Sequence, residues 1–270
     1  MQFEKMGLQR KTLEKIARIN GLMKVYGTLT VRQVYYQLVS TGDNYRRVQY
    51  ACQVGREQGL IDLDKIVDRS RPSYGLDVWS DFREVLGYYS EHFKLDYWKD
   101  EPYRVEIWTE KDALSAVLNE VAEPYRVPVR VTRGFISTSK CHEWADPTAK
   151  VLYFGDHDPS GLCMDKSIEE SIFTDFKDFK RVALTMDQVM AYKLPGIPIK
   201  EASEDGGGDS RSPAYKEKFG DICWELDALP PDVLRRLVRE SIEALLSFDI
   251  EQKRAEEQGQ RGLFKALLEG

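Results

Sequence analysis

At 270 residues, 42% hydrophobic and 31% charged, the chain has room for one large or two modest domains, and no apolar run approaches the length that spans a bilayer. A formal net charge of −6 argues against a nucleic-acid partner until its distribution is read: residues 1–71 hold 13 Lys/Arg against 7 Asp/Glu, which leaves −12 for the rest. A basic N-terminal unit suited to a phosphate backbone therefore precedes an acidic body, although solvated helix faces that happen to be basic give the same count. Cys52, Cys141, Cys163 and Cys223 show no CxxC spacing, which argues against a zinc site or disulfide framework. The opening MQFEKMGLQRKTLEK lacks a signal-peptide core, so a cytoplasmic protein without a membrane partner is expected.

In chain order, LQRKTLEKIARINGLMKVYG reads as an amphipathic helix ending near Gly21 or Gly27. TLTVRQVYYQLVSTG is a second helix, with Thr30 as N-cap and Gln33 completing a capping box. NYRRVQYACQVGREQGL is a third, closed by Gly59, and IDLDKIVDRSRP alternates like a short strand or wing. Three helices and a ribbon, all basic, outline a winged helix-turn-helix over residues 1–75; any small helical domain shares the pattern. Its third helix would present Arg46, Arg47 and Arg56 to double-stranded DNA. Residues 76–102 form a linker carrying one helix, DVWSDFREVLGYYSEHF.

From Tyr103 strands and helices alternate: YRVEIWTE, KDALSAVLNEVAEPY, VPVRVTRG, a helix around STSKCHEWA, KVLYFGD, GLCMDKSIEESIFTDF and RVALT. This rhythm predicts a parallel α/β sheet over residues 103–200. Residues 201–270, with the loop-prone EASEDGGGDSRSP and then WELDALPPDVLRRLVRESIEALLSF, read as an extension packed on it. WELDALPP is distinctive, and a structural or dimer-contact role is preferred over a site of its own built on Asp209, Arg211, Glu225 and Asp227.

The stretch KVLYFGDHDPSG ends a buried-looking strand in Asp156 and Asp158, a spacing that turns both side chains the same way on extended backbone. Glu110 closes the strand VEIWTE in the equivalent place. Functional groups of open parallel sheets gather at this edge, and three carboxylates there suit Mg²⁺. An EF-hand loop starting at Asp156 would end at Ser167 instead of Glu and would follow a helix, so that reading fails. A polar turn with Asp capping the next helix is the plain alternative. His157 should point the other way.

Glu110 in IWTEKDAL, Gly134 in VTRGF, and Asp156, Asp158 and Gly161 in an Asp-x-Asp-x-x-Gly resemble the Toprim domain of topoisomerases, primases and related nucleases. The resemblance implies a Rossmann-like parallel sheet and Mg²⁺ held by Glu110, Asp156 and Asp158. In TVRQVYYQLV, Val31, Val34, Tyr35 and Leu38 make a buried stripe, which leaves Arg32 and Tyr36 as i, i+4 neighbours on an open face. A phenol beside a guanidinium has what phosphoryl transfer to a hydroxyl needs; a surface pair that only contacts phosphate is the alternative.

With a Toprim domain downstream, Arg-x-x-Tyr-Tyr resembles the signature of the topoisomerase VI A subunit and the related meiotic double-strand-break proteins, in the compact stand-alone form called Mini-A. That resemblance implies catalytic Tyr36, Arg32 and Glu110 and a 5′-phosphotyrosyl DNA adduct. It also implies a homodimer in which the tyrosine of one protomer meets the metal site of the other. The chain contains no GxxxxGK[ST] P-loop, so any ATPase would be a separate partner. Two rival functions are a Toprim nuclease using metal-activated water and a non-catalytic DNA-binding protein.

Overall fold

The structure, a computed structural model, describes residues 8–39, 42–66, 78–134, 144, 146, 148–172, 178–199 and 211–269. Helix α1 (Arg10–Tyr26) runs through Gly21 and stops at Gly27, whose positive φ of 75° turns the chain and returns its N–H to the Met23 carbonyl. Helix α2 (Val31–Leu38) starts on the expected capping box: Thr30 Oγ1 accepts from the Gln33 N–H at 3.1 Å, and Gln33 Oε1 accepts from the Thr30 N–H at 2.9 Å. Helix α3 (Tyr45–Glu57) is capped by Asn44, which accepts from the Arg47 N–H. Their apolar faces, including Ile16, Ile19, Val34, Leu38, Val48 and Cys52, close on one another in a small core of their own. The ribbon expected after Gly59 takes another form. Asp62 accepts the Asp64 N–H and winds Leu63–Lys65 into a 3₁₀ turn, and Ile66 then makes a single parallel bridge to Leu29. The rest of IDLDKIVDRSRP lies outside the described residues.

Helix α4 (Phe82–His92), capped by Asp81, leads into the sheet. Strands β1 (Arg104–Thr109), β2 (Val129–Val131), β3 (Ala149–Phe154) and β4 (Asp178–Ala183) form a parallel four-stranded sheet in the order β2-β1-β3-β4. Between β1 and β2 lies α5 (Ser115–Ala122), and between β3 and β4 lies α6 (Pro159–Ile172). The expected helix around STSKCHEWA lies almost wholly outside the described residues. The central strands are largely apolar on both faces, as crossover helices demand, the exception being buried Glu106, which Arg130 and the Trp108 indole satisfy. Val105, Ile107, Leu152 and Phe154 point into the large core with Leu114, Leu118 and Leu234, whereas Trp108, Val151 and Tyr153 pack with Ile168 on the other side.

After β4 come α7 (Met186–Tyr192), a two-residue antiparallel pair of β5 (Ile197–Pro198) and β6 (Ile222–Cys223) around α8 (Ser212–Phe219), then α9 (Pro231–Glu243) and α10 (Ile250–Glu269). Val233, Leu234, Val238 and Ile242 of α9 complete the large core, and α10 lies along α4. Among the described residues no helix is long and apolar enough to cross a membrane.

Candidate functional site

Strands β1 and β3 end side by side, with Thr109 opposite Phe154, so Glu110 and the segment from Gly155 to Asp158 leave the sheet together. Glu110 Oε1 accepts the Asp156 N–H at 2.7 Å. Asp158 Oδ1 accepts the Gly161 N–H at 2.6 Å and caps α6. A side chain at position 161 would run into the Asp156 carbonyl and crowd that same Asp158 oxygen, which is why the spacing closes on glycine. Arg181, reaching back from β4, fixes the turn. Its guanidinium donates to the carbonyls of Gly155 (3.0 Å), Asp156 (3.2 Å), Gly161 (3.2 Å) and Leu184 (3.0 Å) and is paired with Asp165. His157 points the other way, as the alternation requires: it is buried, with Nδ1 2.8 Å from the Tyr215 hydroxyl.

The backbone of His157 does the unexpected work. It exchanges two hydrogen bonds with Trp224, at 2.8 and 3.0 Å, and this isolated antiparallel bridge lays the WELD segment alongside the aspartates. The Leu226 N–H then donates to Asp156 Oδ1 at 2.7 Å. Lys111, only 12% exposed, stands among three acids: 2.9 Å from Asp156 Oδ2, 3.0 Å from Asp227 Oδ2 and 3.8 Å from Glu225 Oε2. Glu225 is gripped from the N-terminal unit, since Arg32 Nη1 donates to Oε1 at 3.0 Å and the Tyr36 hydroxyl donates to Oε2 at 3.2 Å. Thr30 Oγ1 lies 3.3 Å from Asp227 Oδ1 in a fully buried contact.

Arg32 and Tyr36 are neighbours, as the helix period requires, but their face is not open. Tyr36 is half-buried and packs against the core of the sheet domain. Tyr35 is also half-buried, against the N-terminal core, with its ring 5.2 Å from that of Tyr36 and edge-on to Tyr45. By its period alone α2 is a surface helix; the partner that covers it comes from elsewhere in the chain. Lys111 is a site residue that sequence reasoning does not single out, and Glu225 and Asp227, weighed there only as part of a separate site, join the Asp156 cluster instead. The signal available for them is the charge in WELD and the lysine directly after Glu110.

Burial, reinforced by the charge of Asp156, pushes the Glu110 carboxyl up to about 7, and burial raises Asp156 to about 6 despite Lys111. Burial alone would lower Lys111, yet Asp227, Asp156 and Glu225 hold its ammonium well above the usual lysine range. Burial and the adjacent Glu225 raise Tyr36. Among the described residues no three acids or other ligands close into a ready-made metal cage. The donor chemistry is compatible with Mg²⁺, which usually takes one or two carboxylates and completes its shell with water and phosphate: Glu110 and Asp156 offer hard oxygens at adjacent strand ends, and the cation that Asp156 holds in this structure is the Lys111 ammonium.

Beside this cluster a cleft of 670 Å³ is lined by Arg32, Tyr45, Gln49, Gln53, Arg56 and Lys111 among others. Arg56 therefore faces the site. Arg46 and Arg47 lie on a different face of α3, beside Lys11, Lys15 and Tyr50. Gly134 follows β2 with φ +93°, in the left-handed region. A scan against models of known protein families finds no match to this chain, and a search of curated proteins finds none either.

Proposed function

We propose that the chain is a Mg²⁺-dependent DNA-cleaving transesterase of the topoisomerase VI A kind, with Tyr36 as nucleophile. The observation that carries this reading is the convergence of Tyr36 and Arg32 on one carboxylate, Glu225, which Lys111 links to Asp156. A hydroxyl and a guanidinium that share one anionic partner are spaced to share a phosphate. On this reading the N-terminal unit is a winged-helix domain that holds double-stranded DNA, the sheet domain is a Toprim domain, and the protein works at the nucleoid as a homodimer. Strand passage would need an ATPase supplied by another chain.

The step needs only the chain's own groups, the substrate and solvent to carry the proton from Glu225 to the leaving oxygen. Tyr36 gives its proton to Glu225 Oε2, and its oxygen bonds to phosphorus. The bond from phosphorus to the 3′ oxygen breaks, and that oxygen leaves as a hydroxyl, taking up one proton by way of solvent. Arg32 exchanges Glu225 Oε1 for a phosphate oxygen and holds the charge that develops there. Mg²⁺ held by Glu110 and Asp156, with Asp158 beside them, would supply further neutralisation of the phosphate. Since one ester replaces another, the break can be resealed.

A second reading, hydrolysis by metal-activated water, draws support from Tyr36 itself, because burial and Glu225 favour its protonated form. Incubation with supercoiled DNA and Mg²⁺ followed by a denaturing gel separates the two. The expected result is a protein-DNA adduct that disappears, with cleavage, in Tyr36→Phe. Free ends without adduct, cut as well by a folded Tyr36→Phe protein, would give the function to the nuclease.

A further inference from the structure

We infer that Lys111 is the resting counter-ion of the proposed metal site: it holds the Asp156 oxygen that Mg²⁺ would take and passes to Asp227 and Glu225 when the metal arrives. The inference rests on the proposed Mg²⁺ reading of Glu110 and Asp156 and adds how that site is regulated. Its ground is the way the two oxygens of Asp156 are shared. Oδ1 accepts the Leu226 N–H at 2.7 Å, an anchor that keeps the WELD turn on the sheet edge. Oδ2 carries the Lys111 ammonium at 2.9 Å, which donates its hydrogen bond there. A Mg²⁺–oxygen bond is about 2.1 Å long, so metal and ammonium on one oxygen would stand in like-charge contact. Mg²⁺ therefore takes this oxygen only as Lys111 leaves it.

The fold supplies the place to which the ammonium moves. Asp227 Oδ2 lies 3.0 Å from Lys111 Nζ and is paired with it by charge, yet this buried oxygen accepts no hydrogen bond. An acceptor left so is an unmet cost that a small rotation of the ammonium removes. Turning its protons from Asp156 to Asp227 fills that acceptor, and Glu225 Oε2, 3.8 Å from Nζ, lies within reach of the same move. Asp227 is held ready by the 3₁₀ turn Leu226–Ala228 and by Thr30 Oγ1, 3.3 Å from its other oxygen. At its base Lys111 stays fixed, since its N–H donates to Thr109 Oγ1 at 3.1 Å, so the exchange asks only for movement of the flexible four-carbon stem. Lys111 and Asp227 both line the 670 Å³ cleft, so the displaced ammonium remains at the wall that carries Arg32 and Arg56. Lys111 is thus a positioning residue: it keeps the acids neutralised in the metal-free chain and sets how tightly they take the metal.

Calorimetric titration of the metal-free chain with Mg²⁺ at pH 8, without DNA, tests this. Lys111→Met keeps the apolar stem and removes the competitor, so the Kd for Mg²⁺ should fall by about tenfold. Lys111→Gln serves as a second neutral variant, so a folding defect in one does not decide the matter. Asp227→Asn keeps the side-chain shape but takes away the charge that receives the displaced ammonium, so the Kd should rise several-fold. The decisive measurement is the cycle of these changes. Once Lys111 is neutral no ammonium needs a new partner, and Asp227→Asn should then weaken Mg²⁺ binding far less than it does in the wild-type background. An equal loss in both backgrounds makes Asp227 act on the metal directly and overturns the handover. A folded Lys111→Met or Lys111→Gln chain that binds Mg²⁺ no more tightly than wild type overturns it as well, and leaves the metal and the Tyr36 chemistry standing. A wild-type chain that binds no Mg²⁺ removes the metal from the proposed function and the inference with it.

Discussion

Arg181 shows how much of a site can rest on a residue that touches none of its chemistry. One guanidinium from β4 serves four carbonyls of the Gly155–Gly161 turn and of Leu184 while paired with Asp165. An ammonium has three donors and no fixed fork, so it cannot span these acceptors. Arg181→Lys is therefore expected to cost about 2 kcal/mol by denaturant unfolding, the sum of one or two buried carbonyls left unmet, and to lower cleavage more than DNA affinity. A stability change within about 0.5 kcal/mol of wild type, the range of ordinary surface substitutions, would show that the turn holds without the clamp. Nothing in RVALT announced this arginine, because its partners are backbone atoms supplied by a turn 20 residues away or more. The glycine of the Asp-x-Asp-x-x-Gly motif was legible for the opposite reason: the helix cap and the close approach are both local to the motif.

At the scale of elements, periodicity gave the existence and direction of α1, α2 and α3 and the four parallel strands, since each rests on its own apolar face or capping box. It could not give what covers the remaining face. Helix α2 buries the side that carries Arg32 and Tyr36 against the WELD turn, and that turn is itself held at the sheet edge by a two-bond bridge between His157 and Trp224, distant in sequence. Helix α3 is divided likewise, with Arg56 on the site cleft and Arg46 and Arg47 on another face. Charge reversal should separate the two faces. Arg56→Glu is expected to reduce adduct formation most strongly, while Arg46→Glu with Arg47→Glu lowers DNA affinity and flattens its salt dependence by about one unit for each phosphate that is no longer neutralised. Equal effects of all three on affinity alone, measured by binding at several salt concentrations, would put the cleft outside the substrate path.

For the whole molecule, the segregated charge acquires a meaning that composition could not supply: the basic unit sits directly on the acidic edge of the sheet, and the two meet through Arg32, Lys111, Glu225 and Asp227. Without a metal this edge carries carboxylates that fold reluctantly as anions, which makes stability depend on pH with a definite sign. Glu110 rises from its ordinary 4.5 to about 7 and Asp156 from 3.8 to about 6. The folded chain thus binds more protons than the unfolded chain between about pH 4 and 7, and this contribution is complete below the unfolded values and lost as pH climbs through the folded ones. His157, lowered by burial, acts in the opposite sense in part of the same window, since its contribution is lost as pH falls. The informative quantity is therefore the gain in thermal midpoint on adding Mg²⁺, in which the His157 background cancels. That gain should be small at pH 5, where protons occupy the carboxylates, and several degrees at pH 8, where binding at 100 times Kd contributes about 2.7 kcal/mol. Glu110→Gln, which removes the more strongly raised carboxyl, should raise the metal-free midpoint at pH 8 and shrink the gain. An equal gain at both pH values, or one that Glu110→Gln leaves untouched, would place any Mg²⁺ away from the β1 and β3 ends and take the metal out of the proposed mechanism.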